Sequence, residues 1–342
     1  MRLLLDARSL GRAEKLTWEF PFTFRGRPCS IASEKFGLRL YLGEDPAGGP
    51  DAASDSAAAV QTVVSKLSAA VRCLERHVLS VLGAEQVAEG NLTVHNQAGR
   101  LRGTYEYFRR LATDAYAGRG ILARDHDERS DRTPLLDRFR FVAEQTEGLD
   151  AAMAMTVAYF SLLEHVLVLV LPATDFDPAA EPVTGFIRLR LLEKWDRVFS
   201  VAGDPAARKL RERLHRCAEQ WRNPYGHGGF DKRNGTLSFH VPGVGALPVL
   251  LSDIRTHPSF RFVPGREDSF DQLCALFDEI DEWLRAGPVA PGMFWAESGL
   301  DVPFDAKRLA EFRKAVHHGR VSYEEFVMAR SHAEDIAANM DW

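Results

Sequence analysis

No two cysteines in this sequence stand close enough to make a metal knuckle or a redox pair. The four present, Cys29, Cys73, Cys217 and Cys274, are scattered without CxxC spacing, which fits reduced thiols of the cytosol. An excess of one charge is missing too. Lys and Arg number 43 against 48 Asp and Glu, a net charge of −5, which argues against a wholly basic nucleic-acid coat protein and leaves local basic surfaces open. The longest apolar run, VAYFSLLEHVLVLVL from Val157 to Leu171, contains Glu164 and His165 and is too short to span a bilayer comfortably, so it reads as a buried helix. Asp6 and Arg8 follow the first apolar residues at once, so no secretory signal is expected, and the reading is a cytoplasmic protein with no membrane partner. Walker loop, GxGxxG fingerprint, GxSxG elbow and HExxH are all absent. That removes the commonest NTPase, dehydrogenase, hydrolase and zinc-protease classes.

What is present is an ordinary globular composition, 45% hydrophobic and 27% charged over 342 residues, enough for one extended domain or two. The first fifty residues alternate aromatic and β-branched side chains and read as strands. Glu44 to Ser56, EDPAGGPDAASDS, is the linker candidate. A helix is expected from Ala57 to Leu82, with Val60, Val63, Val64, Leu67, Val71, Leu74 and Val78 near helical spacing and Gly83 as its stop. GTYEYFRRLATDAYAGRG suggests a shorter helix, and Ala123 to Pro134 a charged connection. Long helices follow. One runs from near Phe141 or Asp150 to Leu171, and a second from Gly185 to Val201 on the stripe Ile187, Leu191, Trp195 and Val198. A third is opened by Asp204-Pro205 and carries Leu210, Leu214, Cys217 and Trp221. Two short strands follow Gly235, then a helix from Phe270 to Leu284 and two C-terminal helices, the last from Ser322 to Met340 with Ser322 and Glu325 as a capping box. The expected class is α+β, mainly α. Its parts are a β-rich region and linker (1–56), a helical connection (57–134), a helical bundle (135–290) with a strand insertion near 235–251, and C-terminal helices (291–342).

The third of these helices ends in AEQWRNPYGHGG. Asn223 precedes Pro224 and is pushed out of the helical region, and the glycines around His227 permit turns. A plain helix ending explains that much. Arg-x4-His is also weak as a pattern, since it recurs at Arg72/His77 and Arg313/His318. The copy at Arg222 and His227 differs in its neighbours, Asn223 directly after the Arg and Gly228 directly after the His. On a regular helix the two side chains would point about 140° apart. A distortion at Asn223-Pro224 would let both face one cleft.

Arg222, Asn223 and His227 resemble, position for position, the R-x4-6-H signature of the HEPN superfamily, with its polar residue after the Arg. The resemblance covers about Phe141 to Leu284. It implies an all-α bundle, with Glu164 as the polar residue on an earlier helix, and a homodimer that brings two motifs to one site. It further implies metal-independent endoribonuclease activity without a cofactor. His227 would exchange protons with a ribose hydroxyl or leaving oxygen, Arg222 would stabilise negative charge on the phosphate, and Asn223 would orient them. The chain resembles in this the HEPN ribonucleases of toxin and abortive-infection systems in antiviral defence. On that analogy an antitoxin or trigger protein is a partner, and the N-terminal region senses it or restrains the nuclease. The alternative is a non-catalytic dimerising module that binds RNA, nucleotide or protein, or a partner subunit docking through Phe326, Ile336 and Met340.

RNA needs positive surface. Between Ile187 and Arg216 nine basic residues stand against four acids, and Arg208, Lys209, Arg211, Arg213 and Arg216 are the candidate phosphate contacts. A solvated helix face is the competing reading. RLRGTYEYFRR, Arg100 to Arg110, interleaves arginines with aromatics and could stack bases, although an amphipathic helix with an aromatic core face accounts for it more simply. His215, Cys217, His227 and His240 match no zinc spacing, so no metal site is expected.

Overall fold

The computed structural model describes residues 16–34, 36–43, 52–121, 134–199, 201–222, 237–243, 245–249 and 267–339. The chain is mainly helical with small antiparallel sheets. It divides into two compact units, one taking the described residues up to Gln86 together with those from Arg330, the other Val87 to Ala329.

In the first unit, strands β1 (Leu16–Phe24), β2 (Arg27–Glu34) and β3 (Gly37–Leu42) form an antiparallel meander. The β1–β2 turn is two residues, Arg25 and Gly26, both with positive φ, as a tight hairpin of right-handed twist requires. Pairing places Ile31 opposite Leu40 and Cys29 opposite Leu42. Helix α1 (Ala52–Leu74) packs near β3, with Ala59 and Val63 buried. It continues through a π-helical turn (Glu75–Leu79) into α2 (Ser80–Ala88). Gly83 therefore does not stop the helix. Its φ is not positive and no Schellman geometry forms there, so glycine is simply tolerated inside it.

The second unit is built around α4 (Pro134–Leu169), which follows β4 (Thr93–Val94) and α3 (Ala98–Tyr116). Helices α3 and α4 pack along much of their length. Between α4 and α8 (Glu267–Ala286), Tyr159 stacks on Phe277 with ring centroids 3.9 Å apart. The apolar run called a buried helix is one: Tyr159, Phe160, Leu163, Leu167 and Val170 are all buried. Arg109 on α3 forks onto Asp278 of α8 at 2.5 and 2.7 Å, and Arg102 pairs with Asp281. One side of the aromatic-arginine run thus packs into the core, with Tyr105 2% exposed, while Tyr107 is 50% exposed.

The helix expected over Gly185–Val201 is two, α5 (Val183–Arg188) and α6 (Leu191–Val198). Leu189 and Arg190 are extended, and the Glu193 carboxylate accepts the Arg190 N–H at 2.8 Å. Phe186 is turned inward, its ring 6.1 Å from that of Phe176, and Ile187 is 44% exposed. Helix α7 (Pro205–Cys217) begins as the sequence indicates, Asp204 accepting from the N–H groups of Ala206 and Ala207 at 2.8 and 3.1 Å. A π-helical turn (Ala218–Arg222) extends it.

Strands β5 (Leu237–Val241) and β6 (Gly245–Val249) form an antiparallel pair around Gly243. After α8 come three helices rather than two: α9 (Ala290–Ser298), then β7 (Val302–Pro303), then α10 (Ala306–His317) and α11 (Arg320–Asn339). Helix α11 starts two residues before Ser322, directly after the positive-φ Gly319, so the Ser322/Glu325 box does not set its start. Strand β7 pairs with β4, and the Asn96 amide donates to the carbonyls of Ala296 (2.8 Å) and Leu300 (3.1 Å). The beginning and end of this unit are thereby tied together.

Candidate functional site

The site is organised by two residues one helical turn apart on α4, Phe160 and Glu164, which share a face. Glu164 bridges two cations. Its Oε1 lies 3.3 Å from Arg222 Nη2, and its Oε2 lies 3.3 Å from Lys194 Nζ. The Arg222 guanidinium also sits over the Phe160 ring, 5.4 Å from its centroid. A carboxylate fixes one part of the arginine and an aromatic face another, which holds a planar cation in a set orientation.

Burial divides the two cations. The Lys194 side chain is 5% exposed and depends on Glu164 for its charge balance, whereas that of Arg222 is 42% exposed. Lys194 is the buried partner of Glu164, and Arg222 is the exposed one. The π turn at Ala218–Arg222 accommodates an extra residue at the end of α7, so the departure from regular helix begins before Asn223-Pro224.

His165 follows Glu164. Its Nε2 accepts the Gln97 N–H at 2.9 Å, which places the proton of the neutral ring on Nδ1. Burial foremost, then the nearby charges of Arg100 and Lys194, holds its pKa below the usual histidine value. The result is a neutral imidazole beside a cationic cluster.

Of the residues expected at the site, the structure brings Arg222 and Glu164 together. Asn223 and His227 lie outside the described residues. Among the candidate phosphate contacts, Arg211 is bound to Asp196 at 2.7 Å and Arg213 to Glu279. Arg208, Lys209 and Arg216 are exposed, with Lys209 and Arg216 opposite the buried Ala207–Leu210–Leu214 stripe. Sequence reasoning missed Phe160 and His165 and met Lys194 only as one of a basic run. The i,i+4 spacing of Phe160 and Glu164 was the available signal.

Cys217 beneath this turn is buried, which pushes its thiol up to about 12 and removes it as a nucleophile at neutral pH. Among the described residues, no group of three or more His, Cys, Asp and Glu side chains stands together as a metal site. By length and composition two described helices could cross a membrane, Ser56–Ala88 and Glu144–Leu169. The second is a core helix, 61% buried, and the first is 11% buried. Neither protein-family models, curated proteins nor solved structures give a match to this chain.

Proposed function

We propose that this chain is a metal-independent endoribonuclease of HEPN type, cytoplasmic and working as a homodimer. The observation that carries the reading is the Glu164–Arg222 contact. The motif arginine is seated by a carboxylate and an aromatic ring of the earlier core helix, and its side chain stays 42% exposed. In the reaction His227 removes the proton of a ribose 2′-hydroxyl. The 2′-oxygen then bonds to phosphorus, the bond to the 5′-oxygen breaks, and that oxygen takes a proton. Arg222 offsets charge accumulating on the phosphoryl oxygens, and Asn223 orients the imidazole or the phosphate. Exposed Arg208, Lys209 and Arg216 extend positive charge along α7 for the RNA backbone. A role as toxin or abortive-infection effector, held by an antitoxin or trigger protein, follows from the family resemblance.

A second reading has one observation in its favour: Arg222 is already paired with Glu164, as in a bundle that binds partners without cutting. Incubating RNA with the purified chain in EDTA separates the two. The nuclease leaves 2′,3′-cyclic phosphate ends, and His227→Ala and Arg222→Ala lower the rate by at least about a hundredfold. Equal cutting by wild type and His227→Ala would sink the assignment. Without cleavage, and with the melting temperature of Arg222→Ala and Glu164→Ala lowered alike, the arginine is part of the scaffold.

A further inference from the structure

Helix α3 carries arginines of two kinds. Arg102 and Arg109 turn toward α8 and are neutralised there by Asp281 and Asp278. Arg100 and Arg110 are exposed, and among the described residues neither has a carboxylate partner. With Gly103 and Tyr107 they stand at positions 100, 103, 107 and 110, steps of three and four that put all four on one face of the helix. From one arginine to the other that face runs about 15 Å.

Between them lie an exposed ring and a bare piece of backbone. Tyr107 is 50% exposed, and the half-buried Phe108 braces its ring edge to face, centroids 5.3 Å apart and planes at 73°. A Cβ on Gly103 would meet nothing within 4 Å, so no packing inside the protein calls for glycine there, although glycine weakens a helix interior. A sugar-phosphate chain can come close to α3 at that point. The two acids of α3 leave the face open. Asp114 is engaged by Arg119 at 2.8 Å, and Glu106 lies at the edge, about 120° around the helix from Arg100 and about 40° from Arg110.

The face has a beginning and an end. Past Arg110 the surface turns acidic, with Glu144 beside Gly118 and Glu147 accepting the Ile121 N–H at 2.8 Å. At the other end it reaches the candidate nuclease site. The Arg100 guanidinium donates to Gln97 Oε1 at 2.6 Å, the Gln97 N–H donates to His165 at 2.9 Å, and His165 follows Glu164, the carboxylate that holds Arg222.

We propose that this face of α3 is a second arm of the RNA site, which takes single-stranded RNA with phosphates on Arg100 and Arg110 and a base stacked on Tyr107. Stacking on the ring needs an unpaired base, and every base has a face to offer, so the arm selects single strands rather than a sequence. The inference rests on the ribonuclease reading for its ligand and uses none of that reading's catalytic residues.

Fluorescence anisotropy of the full chain with a labelled 2′-O-methyl RNA strand of about 12 nucleotides, in EDTA, tests it. The modified sugar has no 2′-hydroxyl to attack phosphorus, so binding is read whether or not the chain cuts. Tyr107→Leu should weaken binding about tenfold with its salt dependence unchanged, and Tyr107→Phe should bind as wild type does. Arg100→Gln/Arg110→Gln should also weaken it, and should flatten the slope of log affinity against log salt by about 0.7 for each arginine removed. Lys66→Gln, the loss of an exposed charge in the first unit, should change neither affinity nor slope. Circular dichroism spectra should stay the same throughout, because each altered side chain is exposed. Undiminished binding by Tyr107→Leu and by Arg100→Gln/Arg110→Gln would overturn the inference and leave the nuclease reading standing. A duplex of the same sequence that competes as well as the single strand would overturn it too, and so would a wild type that does not bind. Cleavage of unmodified RNA is scored separately: binding that needs Tyr107, without any cleavage, keeps the arm and sinks the nuclease.

Discussion

Glu164 and His165 are neighbours in sequence with opposite tasks. Glu164 is the ion-pair partner of the nearly sealed Lys194, and removing one partner of such a pair is far costlier than never having built it. His165 must stay neutral to accept the Gln97 N–H. Its depressed pKa has a thermodynamic consequence. Below the ordinary histidine value of about 6.5 the unfolded chain takes up a proton that the folded chain refuses, so stability falls as pH drops from there toward the folded pKa. Urea unfolding of wild type and His165→Asn at pH 7.5 and pH 5.5 checks this (~1 unit either side of the free value). The wild type should lose stability between the two, and the variant should lose less. Equal losses would mean that the ring titrates as freely in the fold as outside it.

At the scale of elements, two glycines in helices have opposite meanings. A Cβ on Gly292 of α9 would lie 2.8 Å from Val170 Cα, backbone that cannot move aside, whereas one on Gly83 meets nothing within 4 Å. Gly292→Ala should destabilise by about 1–3 kcal/mol, and Gly83→Ala should stabilise by up to about 1 kcal/mol. Thermal melts of the two variants should move in opposite directions. The same pair shows what was legible in the sequence. Helical spacing revealed α1, α4, α7 and α8, and Asp204-Pro205 marked the start of α7, because caps and stripes are local. Gly83 misled because a glycine caps a helix end where it takes positive φ itself, and Gly83 does not. The split at Leu189–Arg190 was hidden because it serves tertiary packing, turning Phe186 rather than Ile187 inward. Of the candidate site, Arg222 and Glu164 could be named from residue type and position. The stacking on Phe160 and the Lys194 bridge arise from approach across the fold and leave no trace in spacing alone.

At the scale of the whole molecule, the two units differ in how they are finished. In the first, Val60, Val64 and Val71 of α1 are exposed among the described residues, and the second has a continuous core from Ala98 to Val327. That second unit is also latched. The Phe304 N–H donates to the Leu92 carbonyl at 2.7 Å, and Asn96, at the mouth of α3, reaches two carbonyls some two hundred residues later in the chain. During synthesis the start of α3 therefore waits, its entry unfastened, until α9 and β7 have left the ribosome, and contacts of such sequence separation close late. Chains released at Ala286 should be cut by trypsin at Arg100 or Arg102, while full-length chains resist until they unfold globally. Equal resistance would show that α3 settles without its latch. A unit that cannot close until its last strand has been made keeps any activity housed there silent while its earlier helices are being translated.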